Sequence, residues 1–188
     1  MCRAMDKIKG TETARDKLLT AAAKVVRERG VTALTLEATA REAGVSKGGL
    51  LYHFATKQAL IAAMVAAFGE RVMREVGELQ KHYEGQPGAL TRAIIGHTER
   101  NAGQDDKMPV ALIAALATDA ELLEPARQLS RDRFQALHAD KIPFEIAAIA
   151  NLAADGLWFM ELLGIEPLSV DDRARIFAAL RELVDGAL

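Results

Sequence analysis

The apolar residues of this chain recur with the period of an α-helix almost throughout. In 12–29 they are spaced by three and four positions: Leu18, Ala22, Val25 and Val26. This spacing places them on one face of an amphipathic helix. β-Branched residues never occur more than two in succession, so no segment resembles a strand. The sequence predicts an all-α fold of about nine helices.

Turn and capping residues place the helix boundaries. The predicted helices are 12–29, 36–43, 47–53, 57–82, 88–101, 108–117, 119–139, 144–163 and 170–185. Side chains that can accept the free N–H groups of a first helical turn precede four of them: Thr35, Ser46, Thr56 and Ser169. Pro87 is expected in the first turn of 88–101, and Pro125 predicts a bend in 119–139.

The charge of the chain is distributed unevenly along its length. The 188 residues, half of them apolar and 27% charged, exclude wholesale disorder and suffice for one to two domains. The first 60 residues carry 11 Lys and Arg against 6 Asp and Glu, a net charge of +5. The remaining residues carry 13 against 20, a net charge of −7. The basic N-terminal part is therefore expected to meet a polyanion.

Several classes of protein are disfavoured by composition. Cys2 is the single cysteine, which excludes internal disulfides and fits a reducing cytoplasm. The four histidines have no metal-ligand spacing, and we expect neither a metal nor a cofactor: His53, His82, His97 and His138. No apolar run reaches the roughly 18 residues of a membrane span, and the start has no secretory h-region. We therefore expect a cytoplasmic protein with no membrane partner.

The segment 35–54 predicts two short helices joined by a tight turn. A three- to four-residue turn containing glycine, here Gly44, is typical of a helix-turn-helix motif. Gly44 is expected to adopt a positive φ, which a glycine does without steric cost. The small residues Ala40 and Ala43 would let the two helices approach closely. Val45 and Leu50 would fill the wedge between them.

The second helix of such a motif enters the major groove of DNA. The candidate DNA contacts are Thr35, Ser46, Lys47, Gly48, Gly49, Tyr52, His53 and Lys57. Their side chains offer donors to phosphates or base edges, and Gly48 and Gly49 leave the backbone free to approach the DNA. Two glycines in so short a helix cost about 1 kcal/mol each relative to alanine. Either close DNA approach or tight packing on the helix beneath would explain that cost.

Residues 12–60 resemble the DNA-binding region of TetR-family (tetracycline-repressor-like) transcription factors. The resemblance is carried by Ala-Gly-Val-Ser at 43–46, Lys-Gly at 47–48, Leu-Tyr-His-Phe at 51–54 and Thr-Lys-Gln-Ala-Leu at 56–60. It implies a homodimeric repressor that binds a palindromic operator and is released by a small-molecule effector. It also implies a DNA-binding head, residues 1–56, and an effector-binding and dimerisation body, residues 57–188, linked by the fourth helix.

The body supplies two further sets of candidates. The candidate effector contacts are Met64, Phe68, Ile94, His97, Met108, Leu112, Phe134, Asn151, Asp155 and Trp158. A lining of methionine and aromatic residues suits a largely apolar ligand. The candidate dimer contacts are Ile149, Leu152, Ala153, Met160, Phe177, Leu180, Leu183 and Val184. The alternative is that these residues close the core of a single chain.

The same residues allow other functions. The segment 44–48 matches the G-x-S-x-G nucleophile elbow, but that motif needs a preceding strand and a surrounding sheet, which the sequence does not predict. No acid/base or nucleophile constellation is present, so we expect no enzymatic activity. The alternatives are an all-α small-molecule-binding protein or enzyme without a DNA role, and an interaction module whose helix-turn-helix contacts another protein.

Overall fold

The computed structural model describes residues 13–102, 120–165 and 167–187. Within these ranges the chain forms eight α-helices, three short 3-10 segments and no strand. The helices are α1 (Ala14–Arg29), α2 (Leu36–Ala43), α3 (Lys47–His53), α4 (Lys57–Gln80), α5 (Ala89–Asn101), α6 (Glu124–Leu137), α7 (Phe144–Leu162) and α8 (Val170–Asp185). The all-α prediction is confirmed, and the predicted helix 108–117 lies outside the described residues.

The predicted helix starts are formed by local side-chain caps. The hydroxyl oxygens of four residues each accept the N–H of the residue three positions on, at 3.0–3.1 Å: Thr35, Ser46, Thr56 and Ser169. Asp172 completes a capping box at the start of α8 by accepting the N–H of Ser169. These caps satisfy N–H groups that a helix leaves free in its first turn.

Pro125 begins a helix instead of bending one. It stands in the first turn of α6, which follows the 3-10 segment Ala120–Leu123. Proline is accommodated there because the N–H that it lacks has no partner within the helix at that position. The prediction of one bent helix over 119–139 was therefore wrong.

The start of α5 is capped by a residue far away in the sequence. Gly88 precedes the helix with φ 72°, so Pro87 lies outside the first turn in which it was expected. The carboxylate of Asp140 accepts the N–H of Leu90 at 2.8 Å, the N–H of Thr91 at 2.9 Å and the Thr91 hydroxyl at 2.6 Å. Asp140 and Thr91 are both buried. This carboxylate ties the loop before α7 to α5.

Two apolar cores lie along the molecule. The first joins α1, α2, α3 and the start of α4, and its fully buried residues include Leu34, Leu50 and Leu60. The second joins α4, α5, α7 and α8 around Ile95 and Phe177. Each core buries the apolar faces that the helical period predicts.

The head and the body share packed side chains beyond the α4 connection. Leu122, in the 3-10 segment before α6, is buried in the first core, and Ala126 of α6 packs against it. Farther along α6, Leu129 meets Gly69 of α4 so closely that a Cβ at Gly69 would lie 2.3 Å from Leu129 Cδ2. Two helices, α4 and α6, therefore connect the body to the head.

No single helix in the described ranges has both the length and the apolar character needed to cross a membrane. The segments Lys47–His53 and Lys57–Tyr83 pass that test as a pair, on length and composition, with a 61° bend at the break between them.

Candidate nucleic-acid interface

The turn between α2 and α3 has the predicted left-handed corner. Gly44 adopts φ 67° and ψ 30°, and its N–H donates to the carbonyl of Arg41 at 3.2 Å. Leu50, on the inner side of α3, is completely buried, as expected. Val45 was expected in the same wedge but is 39% exposed, because Leu50 and Ala40 occupy the apolar core at this corner.

One side of α3 faces solvent. Tyr52 is 87% exposed, and Lys47, Gly48, Gly49 and Leu51 are exposed as well. The helix therefore packs on the core through Leu50 and leaves its remaining side open to solvent. A single exposed helix next to a tight turn is the part of a helix-turn-helix that fits the major groove.

The two glycines of α3 are not required by packing against any part of the chain that the structure describes. A Cβ built on Gly48 would lie 4.0 Å from Ser46 Oγ, and one built on Gly49 would lie 3.4 Å from the same atom and 3.9 Å from Val45 Cβ. These are van der Waals contacts with side chains next to the helix start. Of the two explanations that the sequence allowed, tight packing on the helix beneath is excluded.

Lys47 is held by an acidic residue that sequence analysis missed. Its Nζ lies 2.7 Å from Glu37 Oε1, which joins the first turn of α3 to the first turn of α2. The hydrogen bond from Lys47 lowers the pKa of Glu37, and the positive charge of Lys47 acts in the same direction. Both side chains are exposed, so a DNA phosphate can compete with Glu37 for Lys47. The ten-residue separation of the pair crosses a turn and leaves no periodic signal in the sequence.

The other predicted DNA contacts lie at the starts of α2, α3 and α4 and at the end of α3. Thr35 and Ser46 accept cap hydrogen bonds, and each hydroxyl still has a hydrogen to donate. His53 is half-buried, with its ring edge-on to Tyr52 at 5.1 Å between centroids. Lys57 is half-buried in the first turn of α4.

Some basic residues of α1 are used to hold α2. Lys24 Nζ lies 2.6 Å from Glu42 Oε1, and Arg29 lies 3.1 Å from Glu42 Oε2. The hydrogen bond from Lys24 lowers the pKa of Glu42. These pairs join two helices of the head, so α1 contributes less free positive charge than its composition indicates.

The predicted effector contacts fall into separate groups. Phe68 of α4 and Trp158 of α7 stack with their ring centroids 6.2 Å apart, and Asp155 of α7 pairs with Arg133 of α6. Asn151 lies on α7 and is fully buried.

The remaining effector candidates are dispersed. Met64 lies in the first core, Ile94 lies in the second, and Phe134 packs against the second. His97 faces a cleft of about 310 Å³ between α4 and α5, where its Nε2 lies 2.9 Å from Glu75 Oε2. Met108 and Leu112 lie outside the described residues. Among the described residues, no three His, Cys, Asp or Glu side chains are grouped to hold a metal ion.

The candidate dimer contacts are divided between the surface and the core. Phe177, Leu180 and Val184 are at most 7% exposed and pack in the second core, which is the alternative that the sequence left open. Ile149 and Leu152 are 54% and 59% exposed, and Leu183 is 36% exposed. Ala153 and Met160 are half-buried.

A basic helix-turn-helix head packed on an all-helical body defines a transcriptional regulator that binds DNA. Two family models match the chain: "Bacterial regulatory proteins, tetR family" over residues 18–64, and "Tetracyclin repressor-like, C-terminal domain" over residues 88–185. The chain belongs to the TetR family, which confirms the resemblance found in its sequence.

Solved structures share the fold over nearly the whole chain. A member of the TetR family from Streptomyces coelicolor A3, SCO1917, is 26% identical, with 89% of this chain and 97% of that chain covered and a TM-score of 0.67. A transcriptional regulator from Rhodococcus sp. Rha1 is 23% identical, with 94% and 96% covered and a TM-score of 0.67. The multidrug binding protein EbrR complexed with ethidium is 24% identical, with 92% and 99% covered and a TM-score of 0.69. No curated protein matches the chain at a significant level.

Proposed function

We propose that the protein is a homodimeric, ligand-responsive repressor that binds a palindromic operator and is released from it by a small, largely apolar effector. The observation that carries the proposal is the exposed side of α3, where Gly48 and Gly49 leave the helix backbone uncovered between Lys47 and Tyr52. Such a surface lets the helix axis approach the base edges closely. We propose no enzymatic activity, and we place the protein in the cytoplasm, with the DNA that it binds.

The dimer is supported by an apolar stripe on α7. The stripe consists of exposed residues spaced by three and four positions: Ile149, Leu152, Gly156, Phe159 and Leu163. Gly156 lies at its centre, and a Cβ built there meets no heavy atom of the described residues within 4 Å. A second copy of α7 can therefore approach closely at this point. Such an interface uses the same patch on both subunits.

The ligand response is supported by the contacts between the body and the head. Phe68 packs against the first core and stacks on Trp158 of α7. Leu122, just before α6, is buried in the same core. A ligand that alters the packing of α7 against α4 and α6 would tilt the head. The two recognition helices of a dimer must lie about 34–36 Å apart to enter successive major grooves. An effector that prefers another separation lowers DNA affinity through its differential affinity for the two states.

The DNA-binding part is tested by selection from a pool of random duplexes with the purified protein. We expect enrichment of one palindrome with half-sites about one helical turn apart, and affinity that falls steeply as salt rises. The double variant Lys47→Ala, Tyr52→Ala should lose this binding and keep its helicity and its mass in solution.

The matched control removes the same residue types from the body. Lys81 is exposed and ion-paired to Glu78 at 2.7 Å, as Lys47 is to Glu37, and Tyr83 lies two residues on. The variant Lys81→Ala, Tyr83→Ala should bind the selected duplex as the parent does. Failure to enrich any duplex at physiological salt would contradict the proposal and favour a small-molecule-binding protein without a DNA role.

The dimer is tested separately with Leu152→Glu. A carboxylate in the middle of the stripe would be buried twice in a two-fold interface, so we expect a monomer in sedimentation and weaker operator binding. Val170→Glu is the control, because Val170 is 86% exposed at the start of α8 and lies outside the stripe. A Leu152→Glu protein that sediments as a dimer would show that copies associate through another surface.

A further inference from the structure

Asn151 is a buried amide without a hydrogen-bond partner among the residues that the structure describes. The side chain lies in the middle of α7 with no exposed surface, and neither its Nδ2 nor its Oδ1 bonds to a described residue. Buried amides that lack partners destabilise a fold, and leucine would fill the same space without that cost. An amide retained in this position therefore offers one acceptor and two donors to something else.

The side of α7 that carries Asn151 also carries polar and aromatic groups. Asp155 follows one turn later and pairs with Arg133, whose Nε is likewise buried and unbonded in the described part of the chain. Trp158 follows seven residues after Asn151 and stacks on Phe68 of α4, at 29° between the ring planes. Residues spaced by four and by seven share one side of a helix. A flat aromatic contact and an unsatisfied amide thus lie along the side of α7 that faces α4 and α6.

Two charges along this side of α7, those of Arg133 and Asp155, compensate each other. The guanidinium of Arg71 lies 5.2 Å from the centre of the Phe68 ring, so a cationic ligand is further disfavoured. The guanidinium of Arg133 donates two hydrogen bonds to the carboxylate of Asp155, so an ionic ligand would have to separate a partly buried ion pair to find a counter-charge. Separating such a pair leaves an uncompensated charge in the protein. A neutral ligand avoids this cost.

We propose that Asn151 is the hydrogen-bonding residue of the effector site, and that the effector is a neutral, flat ring compound with a cyclic-amide edge. The N–H and C=O of a lactam lie side by side, and they pair in both directions with the carboxamide of Asn151. The ring of the same molecule stacks against the Phe68 and Trp158 pair. This inference rests on the proposed ligand response and identifies its chemical class.

The test compares probes that differ in one donor or in charge. Carbostyril and phenanthridinone are neutral lactams, their N-methyl derivatives keep the ring and the carbonyl but lack the N–H, and N-methylquinolinium is a cation of similar shape. Trp158 is the only tryptophan of the chain, so quenching of its fluorescence reports binding of each probe. We expect at least one lactam to bind about tenfold more tightly than its N-methyl derivative, because the derivative leaves a buried acceptor unpaired.

Two variants of the full-length protein assign that preference to one side chain. Asn151→Leu should abolish the preference for N–H lactams and should melt at the same or a higher temperature than the parent. Asn101→Leu, which removes an amide of α5 that bonds to the His97 carbonyl, should keep the preference. The proposal is overturned if N-methylquinolinium binds better than every lactam, if no lactam binds, if Asn151→Leu retains the preference, or if Asn151→Leu melts several degrees lower.

These outcomes are distinct from failure of the proposed function. A protein that binds its selected duplex but no lactam contradicts only the ligand class. A protein that binds a lactam through Asn151, without any loss of DNA affinity, contradicts the proposed ligand response and leaves the site assignment in place.

Discussion

Replacing the two glycines of α3 by alanine should raise the stability of the fold and lower its affinity for DNA, which distinguishes a requirement of folding from a requirement of binding. Alanine in a helix interior is more favourable than glycine by about 0.5–1 kcal/mol, because glycine loses more backbone freedom on folding. At Gly48 the added Cβ lies 4.0 Å from Ser46 Oγ, so that gain should be nearly complete. At Gly49 the Cβ lies 3.4 Å from the same atom, which favours a smaller gain. The free energy of unfolding of the double variant should exceed that of the parent by about 0.5–1.5 kcal/mol.

The same substitutions should weaken operator binding. Each methyl group projects from the exposed side of α3 and holds its backbone away from the base edges. We expect affinity to fall at least tenfold, which corresponds to about 1.4 kcal/mol. Fluorescence anisotropy with the selected duplex measures the affinity, and urea unfolding measures the stability at one fixed protein concentration, since dimerisation makes stability depend on concentration.

Gly77→Ala provides the control within the same protein. Gly77 lies inside α4, and a Cβ built there meets no described atom within 4 Å. The free energy of unfolding should therefore rise by about 0.5–1 kcal/mol, with operator affinity unchanged. If the α3 variants gain stability and keep full affinity, close DNA approach is not the reason for the glycines. If they lose stability, the open packing described around α3 is incorrect.

Three further outcomes are expected. Glu37→Gln should release Lys47 and raise operator affinity up to about fivefold, and the dependence of affinity on salt should become steeper by about one counterion. If neither the affinity nor this salt dependence changes, Lys47 makes no DNA contact. Asp140→Ala should lower the free energy of unfolding by about 3 kcal/mol, since three buried donors lose their acceptor, and an unshifted urea midpoint would contradict this cap. Hydrogen bonds from Ser169 and Arg175 lower the pKa of Asp172 below 3.8. The stabilisation of the fold by this carboxylate is therefore complete above that pH and is lost as the pH falls through the lower folded value. Asp172→Asn should flatten the dependence of unfolding free energy on pH below about pH 4, and a profile identical to that of the parent would refute the assignment.

The helices and their starting points could be predicted because they depend on neighbours in the sequence. A hydroxyl that caps a helix bonds to a residue three positions on, as Thr35 and Ser46 do. A glycine in a left-handed turn, such as Gly44, meets a requirement of its own backbone. The caps and the corner of the helix-turn-helix depend on interactions of this short range, so its residues resembled a family before any contact was known.

The candidate DNA surface was predictable for a related reason. Most of its members, from Ser46 to His53, lie at the start of α3 or on it, so the period that buries Leu50 also exposes Tyr52. Glu37 was missed because it meets Lys47 only after the chain has turned between two helices.

The arrangement of the body was decided by contacts between residues distant in the sequence. Asp140 caps a helix that begins about 50 positions earlier, and Asn151 became conspicuous only once its surroundings held no partner in the described chain. The apolar period of α7 and α8 identified faces that avoid water but not what covers each face. Phe177 and Val184 therefore proved to be core, while Leu152 stayed exposed, because burial depends on which helices meet and not on the period of one helix.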